Sequence, residues 1–315
     1  MSDTGWILLA VAFAVVTGVN DGGSLLSTGL KVPSVRPLAA LAIVVACMAL
    51  VPWLTTTVAE GFAHRMVAFR GADAKPAVAV AVISAVLLVV VLTWRGLPTS
   101  LTLALVGGLA GSGVGFHLAV SWPVVTKVLI VGACAPVVGC LLGYVLSRMM
   151  RMARTGASGA VQRMHRAAYG LQAVAYASND GQKVVAIWVV LGLGTLASRP
   201  PTWLLVATSL LFGVGVVLGL PRVARGLSNG VLLVRPAHAV SAEFSSAIAV
   251  LGSAAVGVPV SMTQAIGGAL IGTGLSHGRR RIRWKEVYRI GLAWVITLPS
   301  SALLAVAAAA TLRRL

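Results

Sequence analysis

Charged side chains inside long apolar segments are the first residues of this 315-residue chain that could do chemistry. Of its seven acidic residues, Asp21, Asp180 and Glu243 lie clearly within such segments, and so does one basic residue, Lys183. A charge at the centre of a bilayer costs at least about 2.5 to 3.5 kcal/mol, so it needs a partner or a function. These residues are therefore candidates for binding a substrate or a coupling ion.

The two aspartates share one local sequence. Asp21 follows Asn20 and Asp180 follows Asn179, and a glycine comes after each aspartate. Asparagine, aspartate and glycine together disfavour a helix. The side chains of asparagine and aspartate compete for backbone hydrogen bonds, and glycine is conformationally flexible. We expect the helices to break there. A broken helix exposes N–H groups at a positive dipole end, which suits an anion.

A Pro-x-Ser-x-Thr motif also occurs twice, at Pro98–Thr102 and Pro259–Thr263. Proline suits the first turn of a helix, so each motif predicts a helix start with hydroxyl groups beside free backbone donors. The hydroxyls, the two carboxamides and the two helix N-termini could together surround a tetrahedral oxyanion. The four hydroxyl residues are Ser100, Thr102, Ser261 and Thr263.

The carboxylates of Asp21 and Asp180 would repel such an anion. Their presence is explained if a cation lies between them and the anion, or if the anion carries its own proton. Hydrogen phosphate can donate a hydrogen bond to a carboxylate, whereas sulfate at neutral pH cannot. This difference favours phosphate over sulfate and offers a place for a coupling Na⁺ or H⁺.

Structural roles are the alternatives for the same residues. Asp180 and Lys183, three residues apart, could form an ion pair without a further function. Glu243 has no repeated polar counterpart and could be a hydrogen-bond partner between helices. Packing at a helix irregularity or simple helix capping are the alternatives for Asn20, Asp21, Ser100 and Ser261.

The composition indicates a membrane protein. The chain is 58% hydrophobic and 10% charged, whereas a soluble domain has about 25% charged residues. The net charge of +18 does not indicate nucleic-acid binding, because the basic residues lie in loops between apolar segments. The three cysteines form no CxxC pair or zinc spacing, and we expect no metal site.

Ten apolar segments predict an all-α membrane protein with about ten transmembrane segments. They are Trp6–Leu30, Leu38–Val58, Pro76–Trp94, Pro98–Phe116, Pro123–Leu146, Tyr169–Leu196, Thr202–Leu220, Ala239–Val256, Pro259–Ser276 and Val287–Thr311.

The segments Pro98–Phe116 and Pro259–Ser276 are short and glycine-rich, so they could cross the bilayer or re-enter it. If all ten segments cross and the basic stretch 148–166 is cytoplasmic, 17 Lys and Arg residues lie inside and 7 outside. If both short segments re-enter, the split is 11 against 13. The excess of positive charge inside favours ten crossings with both termini outside.

The motifs recur in the same order. Gly18–Gly22 corresponds to Ala177–Gly181, 159 residues later, and Leu97–Thr102 corresponds to Val258–Thr263, 161 residues later. We therefore expect two five-segment repeats, residues 1–147 and 169–315, joined by a basic cytoplasmic linker at 148–168. Since five is odd, the second repeat has inverted topology, with broken or short hairpin-like helices near the midplane. This architecture is typical of secondary transporters.

With these motifs the chain resembles the inorganic phosphate transporter (PiT) family over nearly its whole length. Ser178–Lys183 is similar to the family's G-A-N-D-A-Q-K motif, and Gly257–Gln264 is similar to its P-V-S-T-T-H motif. Ser241–Glu243 is similar to the family's A-A-E, and Trp284–Pro299 to its closing helix.

The resemblance implies a symporter of inorganic phosphate coupled to H⁺ or Na⁺. It implies a site lined by Asn20, Asp21, Ser100, Thr102, Asn179, Asp180, Ser261 and Thr263. Asp21, Asp180 and Glu243 are the candidates for the coupling ion, and Gln182 and Lys183 are supporting residues.

The sequence also departs from the family pattern. Ser24 stands where the family has a second asparagine, and Ser100–Leu103 and Ser261–Gln264 each lack one hydroxyl and the histidine. These departures leave open whether the coupling ion is Na⁺ or H⁺. They also leave open a sulfate permease of the same family, or a membrane scaffold that kept the fold without transport.

No enzyme is predicted, because the sequence has no HExxH, no nucleotide-binding loop and no GxSxG with a plausible triad. We expect no cofactor beyond a coupling cation and no ATP-driven step. The expected location is a prokaryotic plasma membrane, with phosphate or sulfate and lipid as partners, and a homodimer stays open.

Overall fold

The computed structural model describes residues 3–67, 73–97, 99–152, 158–194, 199–226 and 230–314. In these ranges the chain is helical, and strand pairing is limited to two isolated bridges, Val67–Val120 and Leu232–Ile282. The α-helices are α1 Asp3–Thr17, α2 Gly23–Gly29, α3 Pro37–Leu54, α4 Thr57–Glu60, α5 Ala74–Trp94, α6 Leu101–Gly115, α7 Trp122–Met152, α8 Ser158–Tyr176, α9 Gln182–Val190, α10 Thr202–Gly226, α11 Pro236–Ala255, α12 Met262–Ser276 and α13 Trp284–Leu312.

Several of these helices are suited to a bilayer. Among the described residues, six helices are long and apolar enough to cross one, and many of their large apolar side chains are exposed, where lipid can solvate them. The protein is therefore a multi-pass membrane protein. The six candidate spans are Asp3–Leu26, Pro37–Leu54, Ala74–Trp94, Trp122–Met152, Thr202–Leu220 and Trp284–Leu312.

The other predicted segments also fall on helices, but these are shorter or more polar. Helices α6 and α12 have 15 residues each, which is about 22 Å of helix against about 30 Å of hydrocarbon. Helix α11 has 20 residues and carries several buried polar side chains, including Glu243. Pro98, the predicted start of one short segment, lies outside the described residues.

The helices do not break at the Asn-Asp-Gly motifs, so that expectation is wrong. Gly18–Gly22 joins α1 to α2 and Ala177–Gly181 joins α8 to α9, each as one π-helical turn with helical backbone on both sides. The wider turn keeps the helix continuous while accommodating one extra residue, an arrangement that often occurs at functional sites. The asparagine side chains bond to other segments, so they do not compete for their own helix.

Contacts between the two halves occur in corresponding pairs. Helix α6 packs on α13, and a Cβ on Gly111 would lie 2.3 Å from the carbonyl oxygen of Ala302. Helix α12 packs on α7, and a Cβ on Gly272 would lie 1.8 Å from the carbonyl oxygen of Cys140. Only glycine allows backbones to approach this closely.

The two π-helical turns are packed in the same reciprocal way. Gly18–Gly22 lies against α10, and Ala177–Gly181 lies against α3. A Cβ on Gly18 would lie 2.2 Å from the carbonyl oxygen of Phe212, and one on Gly181 would lie 3.1 Å from Pro52. Each Asn-Asp motif is thus held by a helix from the other half of the chain.

Much of the predicted linker at 148–168 is helical. Helix α7 continues to Met152 and α8 begins at Ser158, while residues 153–157 lie outside the described part. From Ser158 the helical path runs without interruption to Val190. This long path carries His165, Asn179, Asp180 and Lys183 into the interior.

Candidate functional site

The two asparagines of the π-helical turns make equivalent hydrogen bonds. The Nδ2 of Asn20 donates to the Thr99 carbonyl at 3.1 Å and to Asp21 Oδ1 at 2.9 Å. The Nδ2 of Asn179 donates to the Val260 carbonyl at 2.7 Å and to Asp180 Oδ1 at 3.2 Å. Each asparagine therefore fixes the residue that precedes a Pro-x-Ser-x-Thr serine.

Helices α6 and α12 begin at these serines. Ser100 accepts a hydrogen bond from the Leu103 N–H at 3.1 Å, and Ser261 accepts one from the Gln264 N–H at 3.4 Å. The expected helix starts are thus present, with serine as the capping residue. Pro259 lies two residues before the cap, so it is outside the helix and not in its first turn.

The two helix starts are bonded to each other. Thr102 Oγ1 donates to the Val260 carbonyl at 2.9 Å, and Thr263 Oγ1 donates to the Thr99 carbonyl at 3.0 Å. The same two carbonyls also accept from Asn179 and Asn20. This crossed arrangement brings the N-termini of α6 and α12 and both Asn-Asp motifs into one cluster, in which all eight predicted residues are buried.

Lys183 adds a positive charge to this cluster. Its Nζ lies 2.5 Å from Asp180 Oδ1, donates to Thr102 Oγ1 at 2.6 Å, and donates to the Val260 carbonyl at 3.2 Å. Asp21 is close enough to interact electrostatically with both Asp180 and Lys183. With both carboxylates ionised, the three side chains carry a net charge of −1.

Lys183 also makes the two halves different. Its counterpart, 159 residues earlier, is Ser24, whose hydroxyl donates to the Asn20 carbonyl at 3.2 Å. The Asp180 Oδ2 atom is buried and has no hydrogen-bond partner in the described part of the protein. A bound ligand or ion with a hydrogen-bond donor or a positive charge would satisfy it.

Gln182 has a structural contact that the sequence did not predict. Its Oε1 accepts from the backbone N–H groups of Val58 at 2.8 Å and Ala59 at 3.2 Å, so it holds the start of α4. Thr297 was also missed, and its Oγ1 lies 2.5 Å from that of Thr99. Its position two residues before Pro299 in the closing helix was the available signal.

Glu243 lies outside the cluster. It is on α11, and its Oε1 lies 3.3 Å from Nε2 of His165 on α8, with both side chains completely buried. His165 was not singled out from the sequence, because a lone histidine beside arginines resembles a loop residue. Among the described residues, no group of three or more His, Cys, Asp or Glu side chains could hold a metal ion.

A helical membrane fold with a buried polar cluster where two helix N-termini meet is typical of the class of secondary transporters. The phosphate transporter family model matches the chain at residues 17–173 and 156–305. The chain therefore belongs to the phosphate transporter family, and the family predicted from the motifs is confirmed.

Similar proteins carry consistent names. The chain is 27% identical to a probable low-affinity inorganic phosphate transporter of Bacillus subtilis, over 95% of this chain and 93% of that one. It is 29% identical to a protein of the same description from Mycobacterium tuberculosis, over 94% and 74%.

A solved structure described as the sodium-dependent phosphate transporter has the same fold. Its TM-score is 0.82 at 16% identity, and the match covers 98% of both chains.

Proposed function

We propose that this protein is a secondary transporter that carries inorganic phosphate across the plasma membrane, coupled to H⁺ or Na⁺. The observation that carries the proposal is the crossed pair of threonine hydrogen bonds, Thr102 to Val260 and Thr263 to Thr99. These bonds unite two helix N-termini with both Asn-Asp motifs in the buried interior. The names of the relatives support phosphate as the substrate.

The cluster has the donors that an oxyanion needs. Helix N-termini present free N–H groups and a positive dipole end, and the Lys183 ammonium adds a full charge. In the proposed site the anion is bound by Ser100 and Ser261 with the first N–H groups of α6 and α12. Thr102, Thr263, Asn20 and Asn179 donate to carbonyls in this structure, so they hold the two helix starts in place.

The carboxylates of Asp21 and Asp180 favour a protonated anion. A P–OH group of hydrogen phosphate can donate to the unpaired Asp180 Oδ2, which sulfate cannot do at neutral pH. The same carboxylates can bind a coupling cation. Relatives from Danio rerio, described as sodium-dependent phosphate transporters, support Na⁺; the match to one of them is 32% identical over 41% of this chain.

We propose ten crossings in two inverted repeats, 1–147 and 169–315. The reciprocal contacts of the two halves support the repeats. The ends of the segment containing α6 lie near opposite ends of α13, since Arg289 donates to the Arg95 carbonyl and Arg313 to the Gly115 carbonyl. About 36 Å of helix separates these arginines, enough to cross the hydrocarbon. The residue before α6, Ser100, has an extended backbone, which lengthens the segment beyond the helix itself.

Phosphate uptake into proteoliposomes tests the proposal. Asp21→Asn and Asp180→Asn should each abolish coupled uptake of labelled phosphate, because each removes a charge that balances the coupling cation. Asp73→Asn is the matched control, since Asp73 is exposed before α5 and makes no side-chain cap. We expect it to keep wild-type uptake.

Competition and coupling are measured in the same assay. Unlabelled phosphate should inhibit uptake and sulfate should not. A Na⁺ gradient and a pH gradient are applied separately to identify the coupling ion. Full uptake by either site variant, or no anion flux in the wild-type protein, would contradict the proposed site and function respectively.

A further inference from the structure

Two equivalent turns of the fold differ sharply in charge. Residues 116–121 join α6 to α7, and residues 277–283 join α12 to α13 in the other half of the chain. The first turn has no lysine or arginine, whereas the second contains Arg279, Arg280, Arg281 and Arg283. Residues 277–283 are called the arginine turn below. The proposed phosphate cluster uses none of these four side chains.

The two turns are held by the same backbone contacts. In the first, the Val67–Val120 bridge fixes the chain, and the Ser121 N–H donates to the carbonyl of the residue before Val67 at 2.9 Å. In the arginine turn, the Leu232–Ile282 bridge fixes the chain, and the Arg283 N–H donates to the carbonyl of the residue before Leu232 at 3.1 Å. A tryptophan then begins the next helix in both. Because the neutral turn has the same structure, the fold does not require the four arginine side chains.

The proposed orientation of the protein does not require them either. With ten crossings, 17 Lys and Arg residues lie inside and 7 outside. Removing the four arginines of the turn leaves 13 inside against 7 outside, so the excess of positive charge keeps its sign. Neither folding nor topology therefore accounts for this concentration of charge.

The arginine turn presents its side chains on a fixed backbone. Arg279–Arg281 form a 3₁₀ turn directly after Gly278, whose φ of 114° favours glycine. The Trp284 Nε1 donates to the Arg279 carbonyl at 3.2 Å and ties the turn to the start of α13. The side chains of Arg279–Arg281 and Arg283 are exposed. Within the described residues, Arg279–Arg281 have no carboxylate partner.

The surroundings of the turn add further positive charge. Arg235, which is exposed just before α11, and Arg281 both act electrostatically on His238, so the two guanidinium groups lie near one another. The one acidic residue of α12, the arginine turn and α13 is Glu286, which is paired with Arg289 at 3.5 Å. Several exposed guanidinium groups in one place suit a phosphate group, because each can bind two of its oxygens.

An exposed apolar face of α13 continues from the arginine turn. Lys285, Tyr288, Leu292 and Val295 are spaced by three, four and three residues, which places them on one side of the helix. Tyr288 is 76% exposed, Leu292 62% and Val295 72%. A cation followed by a tyrosine and then by aliphatic side chains matches the order of headgroup, interface and acyl chain in a phospholipid. A soluble anion would make no use of the apolar part.

We propose that the arginine turn, together with Arg235 and Lys285, binds the headgroup of an anionic phospholipid, whose acyl chains lie along Tyr288, Leu292 and Val295. In the proposed orientation the turn faces the cytoplasmic leaflet, where anionic lipids attract clustered basic residues. The bound lipid fixes the connection between α12 and α13. This site is separate from the proposed phosphate cluster, and lipid binding does not depend on transport.

Lipid binding is measured on the purified full-length protein in a neutral detergent. Phosphatidylglycerol should raise the midpoint temperature of unfolding and remain attached in native mass spectrometry, because it binds the folded state. Phosphatidylcholine, whose headgroup has no net charge, should do neither. The variant that combines Arg279→Gln, Arg280→Gln, Arg281→Gln and Arg283→Gln should need about tenfold more phosphatidylglycerol for the same shift. Without lipid it should unfold near the wild-type temperature, because the neutral turn at 116–121 has the same backbone contacts.

The matched control removes four exposed arginines from the same side and leaves the arginine turn intact. It combines Arg36→Gln, Arg148→Gln, Arg163→Gln and Arg166→Gln, has the same net charge as the first variant, and should bind phosphatidylglycerol like the wild type. Equal loss of binding in both variants would overturn the proposal, because total charge would then be the cause. Undiminished binding in the arginine-turn variant would also overturn it. An equal shift produced by glycerol 1-phosphate, the soluble headgroup analogue, would identify a soluble anion as the ligand and overturn the lipid assignment.

Discussion

At the residue scale, Lys183 brings a buried positive charge into direct contact with the cluster. It is 1% exposed and has three acceptors, one of which is the Asp180 carboxylate. The Asn-Asp-Gly-Gln-Lys sequence suggested an ion pair from the three-residue spacing, and the structure contains it. The contacts of Lys183 with Thr102 and with the Val260 carbonyl were not predictable from spacing, since those residues lie 81 and 77 positions away, respectively.

Removing the ammonium should destabilise the protein. Lys183→Met leaves the Asp180 carboxylate buried beside a group of similar length without charge, and breaking a buried pair in this way costs about 3 to 5 kcal/mol. Thermal unfolding in detergent should show a large drop in the midpoint temperature.

The double variant Asp180→Asn with Lys183→Met is the matched control. It removes both charges together, so most of the lost stability should return. Coupled phosphate uptake should still be abolished, as in Asp180→Asn. Equal instability of the single and double variants would mean that Lys183 contributes through packing and not through charge.

At the element scale, helix type and position could be predicted from the sequence, and helix continuity could not. Within the described residues, each of the ten apolar segments contains a helix, because an apolar segment in lipid must satisfy its backbone hydrogen bonds internally. The π-helical turns were missed because Asn20 and Asn179 bond to distant carbonyls, which removes their competition for the local backbone. The starts of α6 and α12 were predicted because they depend on the local sequence, whereas serine capping was only the alternative and proline was wrongly expected in the first turn.

Close helix packing gives a second test at this scale. Gly272→Ala would place a Cβ 1.8 Å from the Cys140 carbonyl oxygen, so α12 and α7 must separate. We expect a loss of several kcal/mol, well beyond the gain of up to about 1 kcal/mol that alanine offers in an unhindered helix.

Gly291→Ala is the corresponding control on α13, because a Cβ there meets no atom within 4 Å. It should be neutral or slightly stabilising in thermal unfolding. If Gly272→Ala and Gly291→Ala both unfold at the wild-type temperature, α12 and α7 do not pack as closely as described.

At the scale of the whole molecule, the two halves are interleaved. Each short helix packs on the long final helix of the other half, and each Asn-Asp motif packs on the other half as well. Sequence repeats indicated two equivalent halves, but which helices of one half contact which of the other depends on steric fit. Gly111 and Gly272 lie in the two segments that are glycine-rich in sequence, and their partners Ala302 and Cys140 became known from the structure.

The proposed crossings can be tested by cysteine accessibility. In a protein whose three native cysteines are replaced by alanine, Arg95→Cys and Ala119→Cys should react with a membrane-impermeant maleimide from opposite faces. Both positions are exposed and lie near opposite ends of α13. Labelling of both from one face would mean that the segment containing α6 re-enters the bilayer, contrary to ten crossings.

The unequal pair of Lys183 and Ser24 has a consequence for the resting state of the transporter. Two perfectly equivalent inverted halves could exchange conformations, so that outward-facing and inward-facing forms would have equal free energy. A tethered ammonium in one half and a hydroxyl in the other remove that degeneracy. For the inverted repeats proposed above, this difference contributes unequal free energies to the outward-facing and inward-facing forms of the empty carrier.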